Sequence, residues 1–251
     1  MQPQKIISLV PSITQLLFDL GLQEQIVGRT KFCIHPADKI KNIPTIGGTK
    51  NLDLKKIIAL NPDLIFATKE ENEKAQVEEL QNQFNIYIKD VCNLEDNYNM
   101  ISDIGKLTHT ETRADAIILK TKDNFKKLKE ISNKPVTNKR ALYLIWRKPY
   151  MTIGSDTFIH SMMESIGLEN VFGNSIRYPV IDNLSLVKDM DIQLVLLSSE
   201  PYPFKENHIA EIRIQLPAAK ILLVDGEYFS WYGSRIMESP EYFEKLLQQI
   251  D

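Results

Sequence analysis

One short pattern occurs twice in this chain, and that repeat constrains the fold more than any other feature. Ser12-Ile13-Thr14-Gln15-Leu16-Leu17-Phe18-Asp19-Leu20-Gly21-Leu22 is echoed by Phe158-Ile159-His160-Ser161-Met162-Met163-Glu164-Ser165-Ile166-Gly167-Leu168. A second pair follows in the same order: Leu54, Ile57, Leu60 and Leu64-Ile65-Phe66-Ala67-Thr68 match Leu184, Val187, Met190 and Leu194-Val195-Leu196-Leu197-Ser198. Each half therefore predicts a helix closed by glycine, then a second helix running into a buried strand. Two similar lobes imply a cleft, and clefts between domains are where small ligands usually bind.

The strands and helices alternate. Ile6 to Val10 is an apolar run suited to a buried strand. Pro11-Ser12 opens a helix, with Ser12 expected as N-cap and Gly21 as the stop. Further strands are expected at Asp63–Ala67, Ile86–Ile88, Ala141–Ile145, Leu194–Leu197 and Ile221–Val224. Helices are expected at Glu73–Gln83 and Pro240–Ile250. Such alternation predicts an α/β fold with parallel sheets covered by helices.

Between the halves, Ala114, Ile117, Ile118, Thr121, Phe125, Leu128 and Ile131 recur at spacings of three and four. They form one stripe of an amphipathic helix over Glu111–Ile131, about 30 Å long. Neither Gly nor Pro interrupts it. The expected organisation is an N-terminal lobe at residues 1–108, a linker helix at 109–132 and a C-terminal lobe at 133–251, with the stiff joint allowing only small rocking motions.

Composition narrows the function. A chain of 251 residues, 43% hydrophobic and 25% charged, is typical of a globular protein, and a net charge of -3 offers no general attraction for nucleic acid. The Ile6–Val10 run is too short for a signal-peptide core or a membrane span, and no cysteine near the start could receive a lipid. Either the chain stays in the cytoplasm or an export segment lies outside this sequence. Cys33 and Cys92, the only two cysteines, neither demand nor exclude a disulfide.

In an open α/β sheet, the loops after strands face the ligand crevice. That brings Phe32, Gly47-Gly48-Thr49 and Thr68-Lys69-Glu70-Glu71-Asn72 to the first lobe's crevice. In the second lobe it brings Trp146-Arg147-Lys148-Pro149-Tyr150, Ser199-Glu200-Pro201-Tyr202-Pro203-Phe204 and Tyr228-Phe229-Ser230-Trp231-Tyr232. Large rings with polar edges suit a large, flat, partly polar ligand. The competing reading is that Phe229, Trp231 and Tyr232 fill gaps between helices.

Catalytic and metal motifs are lacking. No Gly-x-Ser-x-Gly elbow, Walker loop or Gly-x-Gly-x-x-Gly occurs. The acids Glu70, Glu71 and Glu73 are better read as complementing a helix start than as acid–base groups. Cys33, His35, His109, His160 and His208 lack the spacing of a zinc site. The expectation is a non-enzyme without a resident cofactor or permanent metal. A small-molecule hydrolase and a cytoplasmic ligand sensor are the alternatives from other classes.

The chain resembles the substrate-binding proteins of ABC importers with a helical backbone between lobes, the helical-backbone metal receptors, and among them the cobalamin binders. The likeness is carried by Ile6-Ile7-Ser8-Leu9-Val10-Pro11-Ser12-Ile13-Thr14, by Gly28-Arg29-Thr30-Lys31-Phe32-Cys33-Ile34-His35-Pro36 and by Gly47-Gly48-Thr49-Lys50-Asn51-Leu52-Asp53. Leu60-Asn61-Pro62-Asp63-Leu64-Ile65, Tyr150-Met151-Thr152-Ile153-Gly154 and Asn170-Val171-Phe172 continue it. The resemblance implies two βα lobes joined by one long helix, a cleft between them, and a periplasmic monomer that delivers a corrinoid such as cobalamin to an ABC permease. A ferric siderophore or haem is the alternative ligand.

The resemblance also carries residue roles. Phe32 and Tyr178 match aromatic positions of the cobalamin cleft, and Glu227 matches a cleft acid. Trp231 stands where a cleft arginine occurs, while Gly47 and Thr68 stand at tryptophan positions. The candidate ligand residues are thus Phe32, Gly47, Gly48, Thr49, Thr68, Lys69, Trp146, Tyr150, Met151, Tyr178, Tyr202, Glu227, Phe229, Trp231 and Tyr232. One exposed carboxylate per lobe is implied for docking on permease arginines. Asp53 matches the first; Asp182 is the nearest acid for the second, although the repeat itself sets Asn183 opposite Asp53.

Overall fold

The structure is a computed structural model and describes residues 3–131 and 139–250. Two compact units emerge. Unit 1 comprises Met1–Val91, Glu95–Thr121 and Tyr232–Arg235; unit 2 comprises Cys92–Leu94, Lys122–Trp231 and Ile236–Asp251.

The first half runs through β1 (Ile6–Ser8), α1 (Pro11–Asp19), β2 (Ile26–Arg29), β3 (Gly47–Gly48), β4 (Asn51–Leu52), α2 (Leu54–Leu60), β5 (Leu64–Thr68), α3 (Lys74–Gln81), β6 (Ile86–Lys89), α4 (Leu94–Thr108) and α5 (Glu111–Ile131). Four of its strands form a parallel sheet in the order β2-β1-β5-β6, with Ile7 beside Ile65 and Phe66 beside Tyr87. Every residue of the central strands β1 and β5 is buried, whereas β6 at the edge is half-buried throughout. That gradient explains why the central strands are continuous apolar runs: helices cover both faces of a parallel sheet. Ile7, Leu9, Ile57, Ile65, Val77 and Leu80 belong to the core of this unit.

The second half continues with β7 (Arg140–Leu144), β8 (Tyr150–Met151), α6 (Phe158–Ser165), β9 (Glu169–Asn170), β10 (Val180–Ile181), β11 (Leu194–Ser198), α7 (Glu206–Gln215), β12 (Lys220–Val224), α8 (Glu227–Ser230) and α9 (Ser239–Ile250). Its parallel sheet has the order β12-β11-β7-β9, over a core that includes Leu142, Leu144, Val195, Leu197 and Ile212. Full burial of each such side chain contributes about 1.5–3 kcal/mol.

The repeat persists down to single hydrogen bonds. Gly21 and Gly167 both take left-handed φ, at 79° and 75°, after α1 and α6. Asn61 and Asp191, at 47° and 50°, are left-handed at the second pair of helix ends. Asp63 Oδ2 accepts from the N–H of Lys5 at 2.9 Å, and Gln193 Oε1 accepts from the N–H of Arg140 at 3.0 Å. Lys5 Nζ donates to the Leu60 carbonyl, as Arg140 Nε does to that of Met190. In both units, a polar side chain just before the central strand thus pins the start of its neighbour.

Several expectations need correction. α1 begins at Pro11 with Val10 at the N-cap, so Ser12 lies inside the helix; proline at the first turn lacks only an N–H that would have had no intrahelical partner. Leu184–Met190 is a 3-10 helix rather than an α-helix. Asn183 caps it through the N–H of Ser185, two residues on, whereas Asp53 caps α2 through that of Lys56, three residues on; the shorter cap accompanies the tighter helix.

The α5 stripe is observed, with Ala114, Ile117, Thr121, Phe125 and Leu128 buried and Ile118 half-buried. The Ile131 side chain, and the expected boundary between residues 132 and 133, lie outside the described residues. The helix passes from unit 1 to unit 2 between Thr121 and Lys122. It is not the sole passage: Trp231 belongs to unit 2 and its neighbour Tyr232 to unit 1. Among the described residues, no helix is long and apolar enough to cross a membrane.

Candidate ligand-binding site

Because the strands of each sheet are parallel, their C-terminal ends share one edge. In unit 1 this edge carries the loop after β2, with Phe32, and the loop after β5, with Thr68 and Lys69. Phe32 is 50% exposed, beside Gly48: a Cβ built on Gly48 would lie 3.4 Å from the ring carbon Cε2. The Lys31 ammonium sits 5.1 Å from the Phe32 ring centroid. Gly47 needs its glycine, since φ is 101° and a Cβ would fall 2.4 Å from the Asn51 carbonyl oxygen.

Thr49 and Thr68 are buried, and their polar groups serve the protein itself. The Thr49 carbonyl accepts from Asn72 Nδ2, and Thr68 Oγ1 accepts from the N–H of Glu71. Lys69 is exposed and pairs with Asp90 at 3.5 Å. Tyr232 is buried within unit 1, its hydroxyl donating to Thr68 Oγ1 at 3.3 Å. Burial, with Glu71 nearby, pushes its phenol far up. Burial likewise raises the Glu71 carboxyl, against the opposing pull of Lys50.

The same edge of unit 2 presents Trp146, which is 40% exposed and follows β7. Its ring meets Tyr202 edge-on at 5.7 Å, and Tyr202 in turn meets Phe204 and His208. Tyr150 is buried and donates to Glu211 Oε1 at 3.0 Å, while Arg147 donates to Glu211 Oε2 at 2.5 Å. The Arg147 guanidinium, ahead of the Tyr150 hydroxyl, holds the Glu211 carboxyl below the usual range. Burial, reinforced by Arg147, lowers the His208 imidazole. The His208 Nδ1 accepts from the N–H of Lys205, which places any proton of the neutral ring on Nε2, beside the Tyr202 hydroxyl.

The remaining candidates divide. Met151, half-buried, pairs with Val180 in the short β8–β10 ladder, and Tyr178, also half-buried, lies under Arg177 at 5.8 Å. Phe229 is fully buried among Tyr143, Tyr242 and Phe243, with centroids 4.8–6.4 Å away, so it fills the interior of unit 2. Trp231 is nearly buried, and its indole N–H donates to Glu200 Oε1 at 3.1 Å, an oxygen that also accepts from Ser230. Glu227 is half-buried, its N–H donating to Asp225 Oδ1.

Asn72, Glu200, His208 and Glu211 organise these loops although no motif marks them. The available signal was position alone: Asn72 and Glu200 closely follow the ends of β5 and β11. Asp53 and Asp182 are exposed, and Asp53 also caps α2. Cys33 and Cys92 are not joined by a disulfide. Among the described residues, no group of three or more His, Cys, Asp or Glu is placed to hold a metal ion. A shallow depression of about 840 Å³ lies at the opposite, N-terminal end of the unit 1 strands, lined by Lys5, Asp63, Asn85, Tyr87 and Leu107 among others.

The periplasmic binding protein family matches residues 6–214. An uncharacterized ABC transporter substrate-binding lipoprotein of Bacillus subtilis (strain 168) is 26% identical over 74% of this chain, which spans 61% of that relative's length. A vitamin B12-binding protein of Vibrio parahaemolyticus is 27% identical over 97% of the chain and 90% of its own. Solved structures share the fold. A possible iron-binding periplasmic protein of Staphylococcus epidermidis superposes with TM-score 0.83 at 23% identity, covering 100% of this chain and 99% of that one. A periplasmic heme-binding protein in complex with two hemes superposes with TM-score 0.86 at 16% identity, covering 100% and 99%.

Proposed function

This chain belongs to the periplasmic binding protein family, and from that premise we propose that it captures a corrinoid or a similarly flat metal chelate and delivers it to an ABC permease. Membership makes it a substrate-binding protein of the ABC-importer type, in a family of binding proteins rather than enzymes, and sets the hydrolase alternative aside. The ligand is the part proposed here, together with work outside the cytoplasmic membrane as in the family's periplasmic and lipoprotein members.

The observation that carries the reading is the exposed ring at the ligand edge of each unit, Phe32 in one and Trp146 in the other. A large apolar side chain left half in water, on a loop already braced by neighbours, is a ready anchor for a flat partner. Polar groups belong to the same loops: Lys31, with its ammonium 5.1 Å from the Phe32 centroid, and Lys69 in unit 1, and Arg147, next to Trp146 in sequence, in unit 2. They suit the amide or carboxylate rim of a chelate, while the ring covers its face. The vitamin B12-binding relatives, similar along nearly the whole chain, favour a corrinoid. Haem or a ferric siderophore is the second reading, supported by the structural neighbours named for haem and iron.

Titration of the full chain with cyanocobalamin, dicyanocobinamide, hemin and a ferric hydroxamate, followed by calorimetry and tryptophan quenching, tests this. Saturable binding of one corrinoid per chain is expected. Binding of hemin or the hydroxamate alone would move the ligand to the second reading, and no binding of any probe would sink both.

A further inference from the structure

We propose that Asn72 is a positioning residue of this site: its side-chain amide sets the turn that supports Phe32. The inference rests on the binding-protein reading above and adds a buried residue to it. Asn72 is 5% exposed, and its amide joins three stretches of chain. Oδ1 accepts from the N–H of Thr68 at 3.0 Å, and Nδ2 donates to the carbonyls of Leu9 and Thr49, each at 3.2 Å. Only a side chain carrying both an acceptor and two donors can close this set.

The turn between β3 and β4 needs outside support. Its ladder has just two residue pairs, Gly47 with Leu52 and Gly48 with Asn51, too little to hold a conformation alone. The segment after β5 supplies the rest: Lys50 Nζ donates to the Glu70 carbonyl, Asn72 binds Thr49, and Gln76 Oε1 accepts from the N–H of Leu52 at 3.2 Å. Gly48, next to Thr49, lies against Phe32, and Gly47 accepts from the N–H of Lys31 at 2.8 Å. Contacts therefore run without a break from the buried amide to the exposed ring. The repeat sets Tyr202 opposite Asn72, so the equivalent position of unit 2 carries no amide.

Asn72→Asp keeps the shape but turns an acceptor toward two carbonyls; Gln76→Ala removes one tie only and covers the case in which the first variant does not fold. Hydrogen exchange on the full chain is expected to quicken at residues 47–52 by about 10-fold or more in Asn72→Asp, and by less in Gln76→Ala, while Ile65–Ala67 stays protected. Affinity for whichever of cyanocobalamin and hemin binds the unaltered chain should fall about 10-fold, and adding Asn72→Asp to Phe32→Ala should cost little more, because both act through one ring. Unchanged exchange in the turn, loss of protection across β5 as well, or a loosened turn with unchanged affinity would each overturn the proposal. If neither probe binds the unaltered chain, the corrinoid and haem readings fail, and the exchange pattern still decides whether Asn72 sets the turn.

Discussion

Asp63 accepts the N–H groups of Gln4 and Lys5 at 2.8 and 2.9 Å, and these bonds hold its carboxyl below the ordinary aspartate range. A carboxyl whose folded pKa is depressed stabilises the fold fully above its unfolded value, near 3.9, and loses that contribution as pH falls through the lower folded value. Unit 1 should therefore lose part of its stability below about pH 4 through this residue. Gln193 makes the equivalent bond with an amide that does not titrate. Asp63→Asn is expected to flatten that part of the stability profile, measured as the urea midpoint from pH 5 to pH 2; an unchanged slope would show that other groups dominate. At the site, Phe32→Ala should weaken ligand binding by about 1–3 kcal/mol with little loss of stability, as calorimetry and thermal melts would show. The sequence could nominate this ring but could not separate it from Phe229. Both follow strands, and only contacts with Tyr143 and Phe243, distant in the chain, make Phe229 interior.

The amphipathic period of α5 was visible because it depends on neighbours three and four residues away, and burial follows it closely. Phe125→Ala should cost about 3–5 kcal/mol, whereas Leu119→Ala, at a position 64% exposed, should stay within about 0.5 kcal/mol. Denaturant melts of the two variants test the stripe directly, and equal losses would mean that the faces are wrongly assigned. α7 escaped the sequence reading for the converse reason. Only His208 and Ile212 of its ten residues are buried, and Ile214 is 83% exposed, so the helix carries almost no stripe. The short β8–β10 ladder was equally hidden, since two-residue strands have no period to detect.

For the whole molecule, the proposed partner is an ABC permease, and Asp53 remains the proposed docking acid of unit 1. Its carboxylate caps α2 through the N–H of Lys56 at 3.1 Å, so Asp53→Arg should cost about 1 kcal/mol of stability as well. Ligand affinity in vitro should be unchanged, while uptake by cells that depend on this protein should fall as like charges meet at the permease. Asp182→Arg should act in the same way without the capping loss. Normal uptake with both variants would remove the docking assignment and leave the ligand site untouched.

By itself, the sequence determined the α/β class, the two-fold repeat, the central strands and the linker helix. All of these follow from local periodicity or from long apolar runs that parallel sheets require. Even the left-handed turns at Gly21 and Gly167 were legible, because glycine after a helical stripe has few other uses. The tertiary structure decided which rings face water, which polar groups are consumed internally, and that Asn72, Glu200 and Glu211 hold the loops. Those outcomes depend on residues far apart in the chain: the amide of Asn72 meets Leu9, and Glu211 meets Arg147, only after the sheets have formed. No window of sequence holds both partners of such a bond, so a residue whose work is to join distant segments carries no local mark of it.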